Sequence, residues 1–273
     1  MSKRALASGV AFVLACAVTV QAADHAPVPN FSSIEYGWVA QAPNFQIPPG
    51  GGPRHVTQHP NYPWKAPGRG EAPHWRVADL DNPILQPWAR EALRKMNDKI
   101  IGGGTGYTRQ VSCWPMGTPA FLLLPAQPLY FIQTPKEVTL IHQMDQQVRR
   151  VYMNVPHSKN VKQSWYGESV GHYEGDTLVV DTIGMNDQTW VDNFRTPHSD
   201  KLHVIERFRL INDGKNLEVR VHIEDPGAYT TAWDTMQRYD RADQQYLESV
   251  CAENNPLDHG DLDPMPEAKT PDF

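Results

Sequence analysis

The chain has 273 residues, with 25 Lys and Arg against 31 Asp and Glu, a net charge of −6. A polypeptide of this length buries a sizeable core without staples, as one large domain or two small ones. Its acidic balance, with no basic cluster after Lys3 and Arg4, argues against nucleic acid or an anionic membrane surface as a partner.

Met1-Ser2-Lys3-Arg4 is a short basic start, followed by an apolar run from Ala5 to Val20 and small residues at Val20-Gln21-Ala22. That three-part pattern predicts a secretory signal peptide over residues 1–22, and so a periplasmic or secreted protein. Two alternatives stay open: a retained anchor, and lipid attachment at Cys16, where Leu14 fits poorly. The run falls short of the roughly 20 apolar residues that span a bilayer. No other segment could span one. Loss of Lys3 and Arg4 takes the mature chain to −8.

Residues 23–80 are rich in Pro and Gly, with Pro48-Pro49-Gly50-Gly51-Gly52-Pro53 at their centre and no sustained period. They read as an extended arm with little structure of its own. Its aromatic residues, among them Phe31, Trp38 and Phe45, predict that part of it straps across the barrel. The pair His55 and His59 looks incidental there. From Pro83 to Ile101 the apolar residues Ile84, Leu85, Trp88, Ala89, Ala92, Leu93, Met96 and Ile100 keep the i, i+3, i+4 spacing of an amphipathic helix. Gly102-Gly103-Gly104 ends it.

Beyond Cys113 the pattern turns to β. The expected strands are Leu129 to Gln133, Glu137 to Met144, Val148 to Met153, Ser164 to Glu174, Thr177 to Ile183, Leu202 to Ile211, Leu217 to Glu224 and Trp233 to Tyr239. Turn sequences such as Glu174-Gly175-Asp176 separate them. Many short strands without alternating helices predict a mainly β fold, an antiparallel lipocalin-like barrel or a sandwich, with the helix and barrel over residues 81–253. Residues 254–273 form a loose acidic tail. Cys113 and Cys251 are the two cysteines left after export, and an oxidising compartment predicts a disulfide between them; two separate buried thiols are the alternative.

Side chains alternate across a strand. The apolar face of Leu202 to Leu210 carries Leu202, Val204, Phe208 and Leu210, which points Glu206 inward. The same alternation puts Val138, Leu140, His142 and Met144 inside, and Leu217, Val219, Val221, Ile223 and Asp225. A buried carboxylate is costly unless paired. Glu206 is therefore either an acid–base group, with His142, Asp181, His172, His198 or His203 as partner, or half of a structural ion pair with Arg150 or Arg207. Tyr173, Arg207, Trp165 and Trp233 are candidate ligand contacts. His198 and His203 flank the start of a strand and are the candidate metal ligands, since imidazole and carboxylate suit zinc. No HExxH or paired-Cys motif supports a metal, and no cofactor is otherwise expected. Gly102-Gly103-Gly104-Thr105-Gly106 lacks the Gly-Lys-Ser/Thr ending of a phosphate loop.

The run from Gly167 to Thr182, with His198-Ser199-Asp200-Lys201-Leu202-His203-Val204-Ile205-Glu206-Arg207-Phe208, Asp225-Pro226-Gly227-Ala228-Tyr229-Thr230-Thr231-Ala232-Trp233 and Cys251-Ala252-Glu253-Asn254-Asn255, resembles a family of secreted bacterial proteins of unassigned function. That family carries a GxSxGxWEGDTLVVDT segment. The resemblance covers roughly residues 80 to 255. Tyr173 replaces the family's Trp and Ala232 its Pro, and the resemblance transfers no catalytic residue. The strand–turn–strand around Gly171 to Val180 is distantly similar to lipocalin-like barrels, which enclose one small apolar ligand. These readings converge on a periplasmic protein acting on a small hydrophobic or cyclic molecule by acid–base chemistry, of isomerase, lyase or hydrolase type. The alternative is a carrier of the cell envelope that binds such a molecule unchanged.

Overall fold

The protein is described from a computed structural model. It covers residues 28–33, 35–63, 76–104, 106, 108–124, 127–145, 148–243, 247–248 and 250–251. The expected signal peptide, Cys16 and the acidic tail lie outside the described residues.

Nine strands close into one barrel in sequence order. They are β1 (Gly37–Ala40), β2 (Leu129–Gln133), β3 (Glu137–His142), β4 (Val148–Met153), β5 (Glu168–Glu174), β6 (Thr177–Ile183), β7 (His203–Ile211), β8 (Asn216–Glu224) and β9 (Trp233–Ala242). The mainly β barrel read from the sequence is the observed fold. The arm, however, is not merely a strap. Its residues 37–40 pair antiparallel with β9, from Gly37 opposite Ala242 to Ala40 opposite Tyr239, and meet β2 at Trp38 and Leu129. Without β1 the barrel would have two open edges, which sheets avoid. Four residues of Gly-Trp-Val-Ala carry too little alternation to announce a strand by themselves.

Neighbouring strands pair antiparallel except β4 and β5, which run parallel with Val151 opposite Ser169. A parallel pair needs a crossover instead of a hairpin, and residues 154–167 supply it. Ser164, expected at the start of a strand, makes only an isolated bridge to Met185 inside that crossover. The strand begins at Glu168. Gly171 is required where the parallel strands meet, because a Cβ there would stand 2.7 Å from Val151 Cγ1 and 3.0 Å from the Val179 carbonyl oxygen.

Helix α1 (Pro87–Ile101) starts four residues later than its apolar period, because Leu85 is held in a bridge with Tyr229 and proline favours a helix's first turn. It buries Ala89, Leu93, Asn97 and Ile100, while Trp88 is exposed. Asn97 bonds both main-chain groups of Ala78 at 2.8 Å, which ties the helix to the arm. His55, which looked incidental, is buried between Phe45 and Trp233. The arm is thus packed structure at that point. No helix among the described residues is long and apolar enough to cross a membrane.

The interior follows the alternation. Val204, Glu206 and Phe208 point inward from β7, and Leu217, Val219, Val221 and Ile223 from β8. Each such aliphatic side chain contributes about 1.5–3 kcal/mol on burial. Met144 is a correction: it is 40% exposed, because β3 ends at His142 and a turn begins. The short 3-10 turn Ala120–Leu123 inserts among inner-facing side chains. Tyr239 Oη donates to the Leu122 carbonyl at 2.7 Å, and Phe121 lies 4.9 Å beneath the Arg149 guanidinium. With Trp38, Phe131, Phe208, Trp233 and Tyr239, this turn belongs to the buried core. Cys113 and Cys251 form the expected disulfide.

Candidate functional site

Glu206 is fully buried, as its strand face required, and its partner is Arg149, not Arg150 or Arg207. Arg149 points inward because β4 alternates exposed and buried from Val148, and Arg150 faces out toward Glu137. The pair is bidentate: Arg149 Nη1 donates to Glu206 Oε1 at 2.9 Å, and Nη2 donates to Oε2. Nη2 also donates to Thr182 Oγ1 at 2.8 Å and Nε to Ser169 Oγ at 3.2 Å, while the two hydroxyls bond each other at 2.9 Å. A fork-to-fork pair of this kind satisfies both charges at once. It leaves Glu206 without a free oxygen or a route to solvent, which is a structural arrangement and not an acid–base one.

The other interior candidates do not join it. His142 is buried and bonds the Leu124 carbonyl at 3.4 Å and the Met144 amide at 3.3 Å. Burial lowers its pKa to about 4, so it is a neutral core imidazole. Trp233 lies in the core. Trp165 packs edge-on against Trp114, and Tyr173 Oη accepts from Gln133 Nε2 at 2.8 Å. His172 and Arg207 are exposed and share Glu174. His172 and Arg207 thus meet through Glu174, whereas His142, Trp165, Trp233 and Tyr173 each have other partners among the described residues.

The metal candidates also part. His198 is buried, with Nδ1 at 2.9 Å from the Ser199 carbonyl and Nε2 at 2.9 Å from Thr189 Oγ1, the pattern of a neutral imidazole that donates once and accepts once. Burial lowers its pKa, against the pull of Asp225 and Asp187. His203 faces outward on β7. Among the described residues, no three His, Cys, Asp or Glu side chains are placed to hold one metal ion.

What the barrel does assemble is a row of seven ionisable side chains across its outer face, in which Asp181 and His203 meet. Glu168 from β5, His157 from the crossover, Asp181 from β6, His203 from β7, Glu224 and His222 from β8 and Asp234 from β9 alternate carboxylate and imidazole. The contacts run His157 Nδ1 to Glu168 (3.0 Å), His157 Nε2 to Asp181 Oδ1 (3.1 Å) and His203 Nε2 to the same oxygen (2.9 Å). They continue His203 Nδ1 to Glu224 (3.3 Å), His222 Nε2 to Glu224 (3.1 Å) and His222 Nδ1 to Asp234 (2.8 Å). All six ring nitrogens face a carboxylate oxygen. A neutral imidazole carries one N–H, so three neutral rings supply only half of the protons these contacts can use. The row therefore gains hydrogen bonds as it gains protons.

Local sequence explains how the row is held. Glu168 also accepts from the Ser158 amide (2.7 Å) and hydroxyl (2.5 Å), which pins the crossover that carries His157. The Ser158 hydroxyl, ahead of the Ser158 amide and His157, lowers the Glu168 pKa against desolvation. Glu224 is lowered by its bonds to His222 and then His203. Desolvation works to lower the His222 pKa, but its bonds to Asp234 and Glu224 win and raise it. Asp181 is 39% exposed, and its Oδ2 accepts no hydrogen bond from the described residues. Its cross-strand neighbours on the same face are Val170 and Ile205, both half-buried. His222 and Glu224 sit two apart on one strand face, a spacing visible in the sequence. Their approach to His203 and Asp234 depends on strand register, which is not.

A second feature is a cleft of about 540 Å³ where the arm, the turn before α1 and the segment before β9 meet, lined by Arg54, His55, Asp79, Asp81, Asn82 and Thr231 among others. His55 is held there by Thr235 Oγ1 at 3.2 Å, and its pKa is lowered to about 4 by burial, with Arg54 adding to the shift.

Compared with known proteins, the chain matches no family model, no curated protein and no solved structure.

Proposed function

We propose that the protein works outside the cytoplasm on a small, largely apolar molecule by acid–base chemistry, with Asp181 as the group that exchanges a proton with the substrate. The observation that carries this reading is the environment of Asp181. One carboxylate oxygen meets two imidazoles, each of which meets a further carboxylate, while the other oxygen accepts no hydrogen bond from the described residues on a side chain that is 39% exposed and has Val170 and Ile205 as cross-strand neighbours. A base oriented by a second group, itself oriented by a third, is the general logic of acid–base sites. His157 and His203 are the positioning residues: each sets an Nε2 beside Asp181 Oδ1, at 3.1 and 2.9 Å. The apolar neighbours favour an apolar substrate, and Asp181 is partly exposed where Glu206 is sealed in the core. The disulfide supports an oxidising compartment, where such bonds persist. The signal-like residues 1–22 support the same compartment.

The test is to incubate mature protein with a small-molecule extract of its source cells and follow the extract by mass spectrometry. Wild type is expected to consume a compound catalytically, Asp181→Asn is expected not to, and Glu206→Gln, assayed below its melting range, is expected to retain turnover. Consumption that survives Asp181→Asn would sink the assignment. Stoichiometric depletion without product would favour the second reading, a carrier.

A further inference from the structure

Three charged side chains line the cleft beside the barrel. Arg54, Asp79 and Asp81 all line it, and none of them makes an ion pair with another described residue. Opposite charges in one cleft would pair with each other if their side chains came within about 4 Å. Here they do not pair, and main-chain bonds fix the two segments that carry them. Asn82 Nδ2 donates to the carbonyls of Arg54 (2.9 Å) and His55 (3.0 Å), which fixes the Arg54 side of the cleft. On the other side, the Asp79 amide donates to the Thr57 carbonyl at 2.8 Å, and Asp79 Oδ1 accepts the Asp81 amide at 3.0 Å. The Thr230 amide donates to the Ile84 carbonyl at 2.7 Å and closes the floor. The walls are preorganised, which lowers the ordering cost of binding.

We infer that this cleft binds a small zwitterion bearing an ammonium and a carboxylate group, an amino acid or a short peptide. Arg54 takes the carboxylate, and Asp79 and Asp81 take the ammonium. The volume, about 540 Å³, lies in the usual range for small-molecule sites and accommodates a dipeptide. An apolar ligand would strip water from three charges and return nothing for it. A ligand of single charge would satisfy one wall and leave the other desolvated. A guanidinium offers a planar fork matched to a carboxylate, which suits Arg54 to a peptide C-terminus. The inference stands on the cleft alone and holds whether or not Asp181 is catalytic.

The experiment is a ¹⁵N–¹H NMR titration of the mature protein with L-alanyl-L-alanine, its N-acetyl derivative and its C-terminal amide. The free dipeptide is expected to shift the amides of Thr57, Asn82 and Thr231 saturably, and each blocked form is expected to bind at least about tenfold more weakly, roughly 1.4 kcal/mol. Arg54→Gln is expected to erase the difference between acid and amide. Asp79→Asn with Asp81→Asn is expected to erase the difference between free and acetylated amine. Both changes are at partly or fully exposed positions, so the fold is retained, as the unperturbed resonances of the barrel would verify. Asp181→Asn is expected to bind as wild type does, which separates this test from that of the acid–base reading. No saturable shift at those amides, or equal affinity for all three compounds, overturns the inference.

Discussion

Replacing Arg149 by Met should bring the protein close to the edge of folding, and the size of the effect follows from the interior. The substitution removes two bonds to Glu206 and one each to Thr182 and Ser169. It leaves a carboxylate at 0% exposure with no cation beside it. Breaking a buried ion pair from one side costs about 3–5 kcal/mol, a large part of the roughly 5–15 kcal/mol that holds a domain together. For a chain of this size the melting temperature should fall by roughly 6–20 °C. Glu206→Gln should cost a similar amount, because it strands the guanidinium instead. The double variant Arg149→Met with Glu206→Gln is the decisive member. It removes both charges, and Ser169 and Thr182 still satisfy one another at 2.9 Å. It should be less destabilised than either single variant, with a coupling energy of several kcal/mol. Urea unfolding with the disulfide intact measures all three, reading stability from midpoint and slope together. If Glu206→Gln shifts the midpoint by less than the equivalent of about 1 kcal/mol, or the double variant loses as much as the two singles summed, the pair is not the lock described here. Glu206 would then return as a chemical group.

Three further outcomes are expected. Removing the Cys113–Cys251 bond by paired Ser substitution opens a loop spanning 138 residues; the chain-entropy account gives a loss of about 5 kcal/mol at most, read as a lower melting temperature that reducing agent reproduces in wild type but not in the variant. His142 and His55, both with pKa lowered to about 4 by burial, are neutral in the fold, whereas the unfolded chain takes protons near 6.5. The unfolded state therefore binds more protons between those values, and stability is full above about pH 6.5 and falls as pH drops toward 4, by about 3 kcal/mol per residue. His142→Gln should flatten that slope by about half in a urea series across pH. Gly171→Ala places a methyl 2.7 Å from Val151 Cγ1 where β4 and β5 run parallel, and should cost about 1–3 kcal/mol by calorimetry.

The strands from β2 to β9 were legible because their alternation is strong. β2, β4 and β6 begin and end where the pattern predicts, and Glu206 faces the core as the apolar set around it requires. Three things were hidden, each for a physical reason. β1 is too short to show a period, and it is a strand only because β9 and β2 offer it edges. The parallel pairing of β4 and β5 is a property of the crossover path, to which period-two alternation is blind. Arg149 was passed over in favour of Arg150, although the pattern of Val148 to Met153 allowed either phase. A long charged side chain turned inward costs so much alone that only its partner makes the phase sensible. Of the candidate site, Asp181 and His203 were named, but they were placed with Glu206. Alternation along β6 and β7 puts both on the outer face, opposite the buried Glu206.

The protein thus keeps two sets of ionisable groups and treats them oppositely. Inside, Arg149 and Glu206 are saturated by each other and by two hydroxyls, so a proton has neither a vacant site nor a path. Outside, the row from Glu168 to Asp234 has more nitrogen–oxygen contacts than neutral imidazoles have protons to fill, and its members are partly exposed. An inner pair of this kind specifies one arrangement of β4 and β7, which fixes the barrel and with it the register on the outer face. Register is what brings His203 beside Asp181 and Glu224. The buried pair therefore acts on chemistry only through position: slip β7 by one residue and Glu206 leaves the core while His203 leaves the row.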